Sequence, residues 1–374
     1  MKKLFSILVL ALSCSALFAQ QTAVALLNHE GTLTSFYGAN ALADAHKAAV
    51  HGDVITLSGG SFAGITFSKA VTVRGAGMIA EATGTREITY INSPVIIRIP
   101  TTVQTPIIFE SLYFLDNVAY MKSESPVSSD QDYCCNNSTF NKCRIDGHIY
   151  NMQGNANFYN CFMSFNDTFS TYGKSGFTAN INIVNSVINS LHNRYPSYCK
   201  LNITNCIITY NTADGGGIKA SKNVTFKNCI FTGTIKDNDP TSFYLPTTVT
   251  ATNCISCFYA YKAETSSEAA VYYRDIFSHI ANPNSTNKCF NDVKEVFKTY
   301  NGNTKINNIS VLEKFELTDE AKAILGSDGK EVGVHGGIGF DLEPTTLQIT
   351  KCEVSPKVSE NGKLAVSIEV GLPK

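Results

Sequence analysis

The densest group of chemically useful side chains lies in residues 192–200, which read HNRYPSYCK. An arginine can pair with a carboxylate through two hydrogen bonds, and a tyrosine or lysine can remove a proton from a substrate. These residue types favour contact with an acidic sugar, whereas the alternative is an ordinary solvated loop with incidental charges. The candidate ligand-binding residues are His192, Arg194, Tyr195, Tyr198 and Lys200.

Other sequence signatures of sugar cleavage are incomplete. A calcium-dependent lyase needs clustered carboxylates on neighbouring repeats, but Asp146, Asp167 and Asp214 do not recur at one position. A hydrolase needs two or three nearby carboxylates, and no adjacent pair of aspartates follows NTADGGGI at residues 211–218. We therefore assign no catalytic residue and expect no metal site or cofactor. Ca²⁺ is expected as a cofactor only if the protein is a lyase.

A recurring slip in strand alternation predicts the elements that carry this loop. In VTFKNCIF (residues 224–231), alternation continues to Phe226, but the next inward-type residue is Cys229 instead of residue 228. The slip returns at steps of roughly 20 residues or more, which is typical of stacked repeats. Because side chains of a straight strand alternate with period two, the delay indicates a bend inside each repeat.

Two columns of stacked residues follow from this pattern. The predicted bend residues are Gly75, Ser111, Lys142, Asn160, Asn185, Asn205, Asn228 and Asn253. The residues after the bends, expected to point inward, are Ala76, Leu112, Cys143, Cys161, Ser186, Cys206, Cys229 and Cys254. Asparagine tolerates left-handed dihedrals, and stacking at about 4.8 Å allows a ladder of bonds between bend asparagines. The same spacing exceeds the ~3.8 Å between Cβ atoms of a disulfide, so we expect thiols in the inward column. The state of Cys134 and Cys135 stays open.

The N-terminus is typical of a secretory signal peptide. It reads MKKLFSILVLALSCSALFAQ, in which two lysines and a short apolar run precede small residues, and cleavage is expected after Ala19. A lipoprotein signal acylated at Cys14 is the alternative. The run is too short to span a bilayer, so no transmembrane segment is expected. A net charge of −1 excludes the basic footprint of a nucleic-acid-binding protein. We expect a monomer exported to the cell surface, periplasm or medium.

The segment ALADAHKAAVHGDVITLSGGSFAGITFSKAVTVRGAG (residues 41–77) resembles the entry into a right-handed parallel β-helix. NTADGGGI likewise resembles repeats of adhesin-type β-helices. Proteins of this pectate-lyase-like superfold include pectate lyases and uncharacterised surface proteins of Bacteroidota-like bacteria. The resemblance implies an all-β solenoid, a right-handed parallel β-helix of about nine coils with an N-terminal cap helix and a C-terminal closing segment.

The pattern divides the chain into a signal peptide at 1–19, the β-helix at 20–285, a closing segment with short helices at 286–342, and a small β appendage at 343–374. The closing segment is expected to cover the last coil, because open strand edges recruit other chains. Thr318 is the expected N-cap of one of its helices.

A fold of stacked coils presents equivalent positions at a regular rise, which suits a polymeric ligand. The leading hypothesis is therefore a binding protein that engages polysaccharide or glycan along a lateral groove. A polysaccharide lyase or another carbohydrate-active enzyme is one alternative, and a structural adhesin is the other. Whether the protein is an enzyme at all stays undecided.

Overall fold

In a computed structural model, the residues that the structure describes form mainly long parallel β-sheets, accompanied in those residues by three short helices. The described residues are 23–79, 88–120, 135, 137–150, 154–163, 179–189, 199–211, 223–236, 245, 247–262, 270–273, 275–277, 280, 282, 286–299, 315–344, 348–358 and 364–371. The helices are α1 (Ala41–Ala48), α2 (Val293–Val296) and α3 (Asp319–Lys322).

The first sheet takes one strand from each successive repeat. Its strands are β1 (Val24–His29), β2 (Thr32–Tyr37), β3 (Val54–Leu57), β6 (Thr72–Arg74), β9 (Ile107–Glu110), β12 (Asn137–Asn141), β15 (Gly154–Tyr159), β17 (Ala179–Val184), β19 (Cys199–Thr204), β21 (Val224–Lys227) and β23 (Thr250–Thr252). They are hydrogen-bonded in the order β2-β1-β3-β6-β9-β12-β15-β17-β19-β21-β23. From β3 onward every pair is parallel, and strand order follows chain order.

The second sheet takes the strand that follows each bend. Its strands are β4 (Gly60–Phe62), β7 (Thr89–Ile91), β10 (Tyr113–Phe114), β13 (Arg144–Ile145), β16 (Phe162–Met163), β18 (Val187–Ile188), β20 (Ile207–Asn211), β22 (Ile230–Lys236), β24 (Ile255–Lys262), β25 (Ala270–Tyr273) and β26 (Lys288–Cys289). Strands β4 to β24 pair in parallel in chain order, β25 joins β24 antiparallel, and β26 joins β24 in parallel.

Two smaller sheets complete the described strands. The third sheet is parallel and contains β5 (Thr66–Phe67), β8 (Val95–Ile97), β11 (Val118–Tyr120) and β14 (Ile149–Tyr150). Near the C-terminus, β27 (Gln348–Val358) and β28 (Leu364–Gly371) pair antiparallel with register shifts.

A left-handed residue stands between the first-sheet strand and the second-sheet strand in most repeats. The φ angles are +58° at Ser111, +54° at Lys142, +53° at Asn160, +46° at Asn185, +52° at Asn205, +55° at Asn228 and +52° at Asn253. The residue after each bend is fully buried: Leu112, Cys143, Cys161, Ser186, Cys206, Cys229 and Cys254. The one-residue slip in the sequence thus coincides with a left-handed corner between two sheets.

The earliest predicted bend differs from the others. Gly75 is not among the residues with positive φ, and the chain passes from β6 of the first sheet, which ends at Arg74, to β7 of the second sheet, which begins at Thr89. Tyr90 pairs in register with Tyr113, so Thr89, the residue before Tyr90, corresponds to the inward Leu112. The buried Thr89 therefore holds the inward position that the sequence analysis gave to Ala76. The backbone N–H of Ala76 instead donates to Thr89 Oγ1 at 2.8 Å. Gly75 is required here because an added Cβ would lie 2.4 Å from the Ser111 carbonyl oxygen.

The N-terminal end is closed by a β-hairpin and a helix. Strands β1 and β2 are joined by Glu30 and Gly31, whose φ angles of +50° and +86° give the two-residue turn that favours tight hairpins. Helix α1 packs against β1, β2 and β3 and buries Leu42 and His46. The sequence analysis expected the helix but missed the hairpin, which adds two antiparallel strands to the first sheet.

The C-terminal strap, which we define as residues 315–344, packs along the outward side of the second sheet. That side carries an apolar column from β16 to β24, formed by Phe162, Val187, Ile207, Ile230 and Ile255, and these side chains share one buried cluster with Leu317, Val332, Val334 and Phe340 of the strap. The sequence analysis expected this segment to cover the last repeat, whereas most of it runs back over earlier ones. The physical reason is the apolar column, which would otherwise face water.

The strap is also held by polar contacts. The buried ammonium of Lys142 lies 2.6 Å from Asp341 Oδ2 and donates to the Glu343 carbonyl oxygen at 2.7 Å. Thr318 accepts a hydrogen bond from Ala321 N at 3.2 Å, which confirms the predicted N-cap of α3. The Lys142 contacts fix the C-terminal end of the strap, whereas the Thr318 hydrogen bond lies within the strap.

Candidate ligand-binding face

Most of the sequence-predicted ligand loop lies outside the described residues. This applies to His192, Arg194, Tyr195 and Tyr198. Lys200 is described: it is exposed on β19 and pairs in register with Asn180 of β17. The described member of the predicted site therefore lies on the outward side of the first sheet.

Among the outward positions of the first sheet, two neighbouring columns consist of polar side chains, which we call the asparagine face. One column contains Asn137, Asn155, Asn180 and Lys200, and the other contains Thr139, Asn157, Asn182, Asn202, Thr225 and Thr250. The intervening residues, such as Phe158 and Ile183, are buried. Strand alternation therefore keeps the amides on the solvent side from β12 to β19.

Amide-to-amide hydrogen bonds run along both columns. Asn182 Nδ2 donates to Asn157 Oδ1 at 3.0 Å, and Asn202 Nδ2 donates to Asn182 Oδ1 at 2.9 Å. In the neighbouring column, Asn155 Nδ2 donates to Asn137 Oδ1 at 3.1 Å and Asn180 Nδ2 to Asn155 Oδ1 at 3.4 Å. A primary amide has two N–H donors and an oxygen with two lone pairs, so each ladder bond leaves further bonding capacity. The ladder therefore fixes the amide orientation and leaves donors and acceptors for a ligand.

The bend asparagines are used differently, because the strap binds several of them. Asn185 Nδ2 donates to the carbonyl oxygens of Val334 and Gly336 at 2.8 and 2.6 Å. Asn160 Oδ1 accepts from the backbone N–H of Asp341 at 3.2 Å.

The sequence analysis expected hydrogen bonds between successive bend asparagines. In the described residues, Asn253 Nδ2 donates such a bond to Asn228 Oδ1 at 3.5 Å. Asn228 Oδ1 also accepts from the backbone N–H of Ser327 in the strap at 3.1 Å. The close approach of the strap depends on glycine, since a Cβ on Gly337 would lie 1.9 Å from Asn205 Nδ2. The bend asparagines thus anchor the strap, and the outward asparagines face solvent.

The inward cysteines have the chemistry of core residues. Cys206 Sγ donates to the Ile183 carbonyl oxygen at 3.5 Å, and Cys229 Sγ donates to that of Ile203 at 3.4 Å. Burial raises the pKa of the Cys161 thiol to about 12. Because the thiolate is the nucleophile and metal ligand, a buried thiol with a raised pKa, such as that of Cys161, is suited to packing and not to catalysis. Cys135 is also buried, with its pKa raised to about 11 by burial, whereas Cys134 lies outside the described residues.

A second polar cluster lies on the outward side of the second sheet, beyond the strap. Arg144 donates from Nε and Nη2 to the two carboxylate oxygens of Asp146, each at 3.0 Å, and its guanidinium lies 4.4 Å from the centre of the Tyr113 ring. The Tyr113 hydroxyl donates a hydrogen bond to the Asp146 carboxylate. Burial, followed by this hydrogen bond, raises the pKa of Tyr113 above its usual value. The phenol therefore keeps its proton at neutral pH and is a poor general base.

Three further observations bear on function. Within the described ranges, no group of three or more His, Cys, Asp or Glu side chains is placed to hold a metal ion. No helix in that part of the chain combines the length and apolar character needed to cross a membrane. No known protein family matches this sequence, and comparison with curated proteins and solved structures found no significant similarity.

Proposed function

We propose that the chain is an exported right-handed parallel β-helix protein of the pectate-lyase-like type, found at the surface or in the periplasm of a Bacteroidota-like bacterium. The order of the first sheet supports this fold, because its parallel strands follow the chain order. Among the described residues these parallel strands, from β3 to β23, number nine, as many as the coils expected from the sequence. The left-handed bends between the two long sheets are further support.

The proposed activity is the binding of a neutral polysaccharide or glycan along the asparagine face. The observation that carries it is the ladder of oriented, outward amides, with Asn182 bonded to both Asn157 and Asn202. Neighbouring strands lie about 4.8 Å apart, so the remaining amide donors and acceptors repeat at a regular interval. Sugar hydroxyls both donate and accept hydrogen bonds, which matches the two functions of an amide.

The charge of the face favours a neutral polymer over a polyanion. The two columns consist of asparagines and threonines, with Lys200 as their one charged member. The whole chain has a formal net charge of −1. A polyanion would be expected to select a denser set of arginines and lysines.

Binding is favoured over cleavage because, apart from Lys200, the asparagine face consists of amide and hydroxyl side chains. Amides do not exchange protons near neutral pH, and the raised pKa of Tyr113 keeps its phenol protonated. The residues of the predicted loop at 192–198 keep the lyase alternative open to experiment. A structural adhesin would bind protein or cells without sugar affinity.

The test is binding of the purified full chain to a panel of neutral and uronic-acid polysaccharides, measured by calorimetry. The substituted protein carries Asn157→Ala, Asn182→Ala and Asn202→Ala, and its matched control carries Asn291→Ala at an exposed asparagine away from the face. At about 1 kcal/mol for each lost hydrogen bond, the triple substitution should weaken binding about 100-fold, and the control should bind as the unmodified chain does.

Three results would count against the proposal. They are the absence of binding to every polysaccharide, equal binding by the triple variant, and binding confined to uronic-acid polymers. New unsaturated products from a uronic-acid polymer would favour the lyase alternative. Circular dichroism of each variant checks that the sheet content is retained, so that a loss of binding reports on the face itself.

A further inference from the structure

The first sheet ends in an open strand edge at β2. Strand β1 pairs with one side of β2, and among the described residues no strand pairs with the other side. The backbone N–H of Gly38 donates to Ala23 across this hairpin. In an antiparallel pair, hydrogen-bonded and non-bonded positions alternate. Residues 32, 34 and 36 therefore bond to β1, and Leu33, Ser35 and Tyr37 direct their backbone groups to the open edge.

Nothing in the β2 sequence protects this edge from another chain. The strand reads TLTSFY, without a charged residue, a proline or a bulge, which are the usual means of blocking edge pairing. Two large apolar side chains on it face water, because Leu33 is 60% exposed and Tyr37 is 67% exposed. Both occupy the same side of the sheet as Ser35, since odd-numbered residues alternate with even ones.

We propose that two copies of the chain pair antiparallel through their β2 edges, with Ser35 opposite Ser35 of the second copy. Directly opposite residues in an antiparallel pair lie on the same side of the sheet, which restricts odd-numbered residues to odd-numbered partners. This register gives every outward N–H and C=O of Leu33, Ser35 and Tyr37 a partner. It also places the exposed Leu33 of each copy opposite Tyr37 of the other copy.

The pairing is closed, because a two-fold axis through the paired Ser35 residues uses the same surface on both copies. The axis is perpendicular to the sheet, so the outward sides of the two first sheets lie on the same side of the dimer. A polymer bound on one asparagine face could then reach the other, which would raise avidity without new contacts. The dimer itself does not depend on polysaccharide binding, and it replaces the monomer expected from the sequence.

The test is sedimentation velocity of the full chain over a range of concentrations. The unmodified chain should form a dimer as its concentration rises. Ser35→Lys should raise the dissociation constant about fivefold or more, because like charges directly opposite repel, and Ser35→Glu should do the same. An equimolar mixture of the two variants should restore the dimer, since only this register places opposite charges face to face. The matched control, Ser68→Lys, adds the same charge at an exposed serine off this edge and should dimerise normally.

Three results would overturn the proposal: a monomer at all concentrations, unchanged dimerisation of the Ser35→Lys variant, and failure of the mixture to restore the dimer. Polysaccharide binding by the Ser35→Lys variant is measured in parallel. Because Ser35 lies outside the asparagine face, failure of the dimer and failure of the binding function remain distinguishable.

Discussion

Acidification should destabilise the N-terminal cap of the protein through His46. This side chain lies on the buried side of helix α1, packs edge-on against Phe67 with ring centres 5.1 Å apart, and accepts a backbone hydrogen bond from Lys69 at its Nε2. Protonation would add a charge to an apolar site beside the Lys69 ammonium and would remove the acceptor. Burial, followed by the charges of Lys69 and His51, lowers the pKa of His46 to about 4.

The size and sign of the effect follow from this pKa. The unfolded chain has a histidine pKa of about 6.5, so between about pH 6.5 and 4 it binds a proton that the folded chain does not. The contribution of neutral His46 to the free energy of unfolding is therefore fully present above pH 6.5 and is lost as the pH falls towards 4. At about 1.36 kcal/mol per pKa unit, the loss between about pH 7.5 and 4.5 is at most about 2.5 kcal/mol.

Urea unfolding at a series of pH values measures this loss, with His46→Gln as the comparison. Glutamine keeps an acceptor for the Lys69 N–H but does not titrate, so the free energy of unfolding of the variant should fall less on acidification. The His29–Asp53 pair acts in the opposite sense, because its hydrogen bond raises the pKa of His29 and contributes stability that is lost as the pH rises. Both proteins retain that pair, so the difference isolates His46. Parallel pH profiles for the two proteins would refute the reasoning.

Two further predictions concern the columns at the bends. Cys206, Cys229 and Cys254 should react with an alkylating reagent only after unfolding in urea without reductant, and mass spectrometry that finds them disulfide-linked or labelled in the folded protein would contradict their role as buried thiols. Gly337→Ala should lower the free energy of unfolding by more than Gly329→Ala: both residues have positive φ, which costs a non-glycine residue about 1–2 kcal/mol, but only Gly337 also meets Asn205. Equal losses in urea unfolding would show that the strap does not depend on this close approach.

The bends could be predicted from sequence because they depend on local properties. A one-residue delay in a period-two pattern marks a corner, and asparagine adopts the left-handed conformation at low energetic cost. The sequence could not show in this way that Thr89 takes the inward position expected for Ala76, since the residues between them change the register without changing the local motif. The outward amides did leave a signal, because Asn180 and Asn182 occupy alternate positions in one strand. The bend asparagine just after the same strand gives the more regular repeat, and it masks this signal in the sequence.

The position of the strap depends on contacts between residues far apart in sequence. Lys142 and Asp341 are separated by 199 positions, and no local pattern connects them. The sequence analysis did not identify the apolar column on the outward side of the second sheet, because a strand buried on both sides and a strand buried on one side differ only in every second residue. The sequence could therefore predict the repeats but not which sheet side remains open to a ligand.

The most direct test of the central claim is the NMR signal of the asparagine side-chain amides in the full chain during titration with a neutral polysaccharide that binds it. Binding on the asparagine face predicts chemical-shift changes for the NH₂ groups of Asn157, Asn182 and Asn202, while that of Asn185, held beneath the strap, stays unchanged. Unchanged amides on the asparagine face at saturating polysaccharide would contradict the claim.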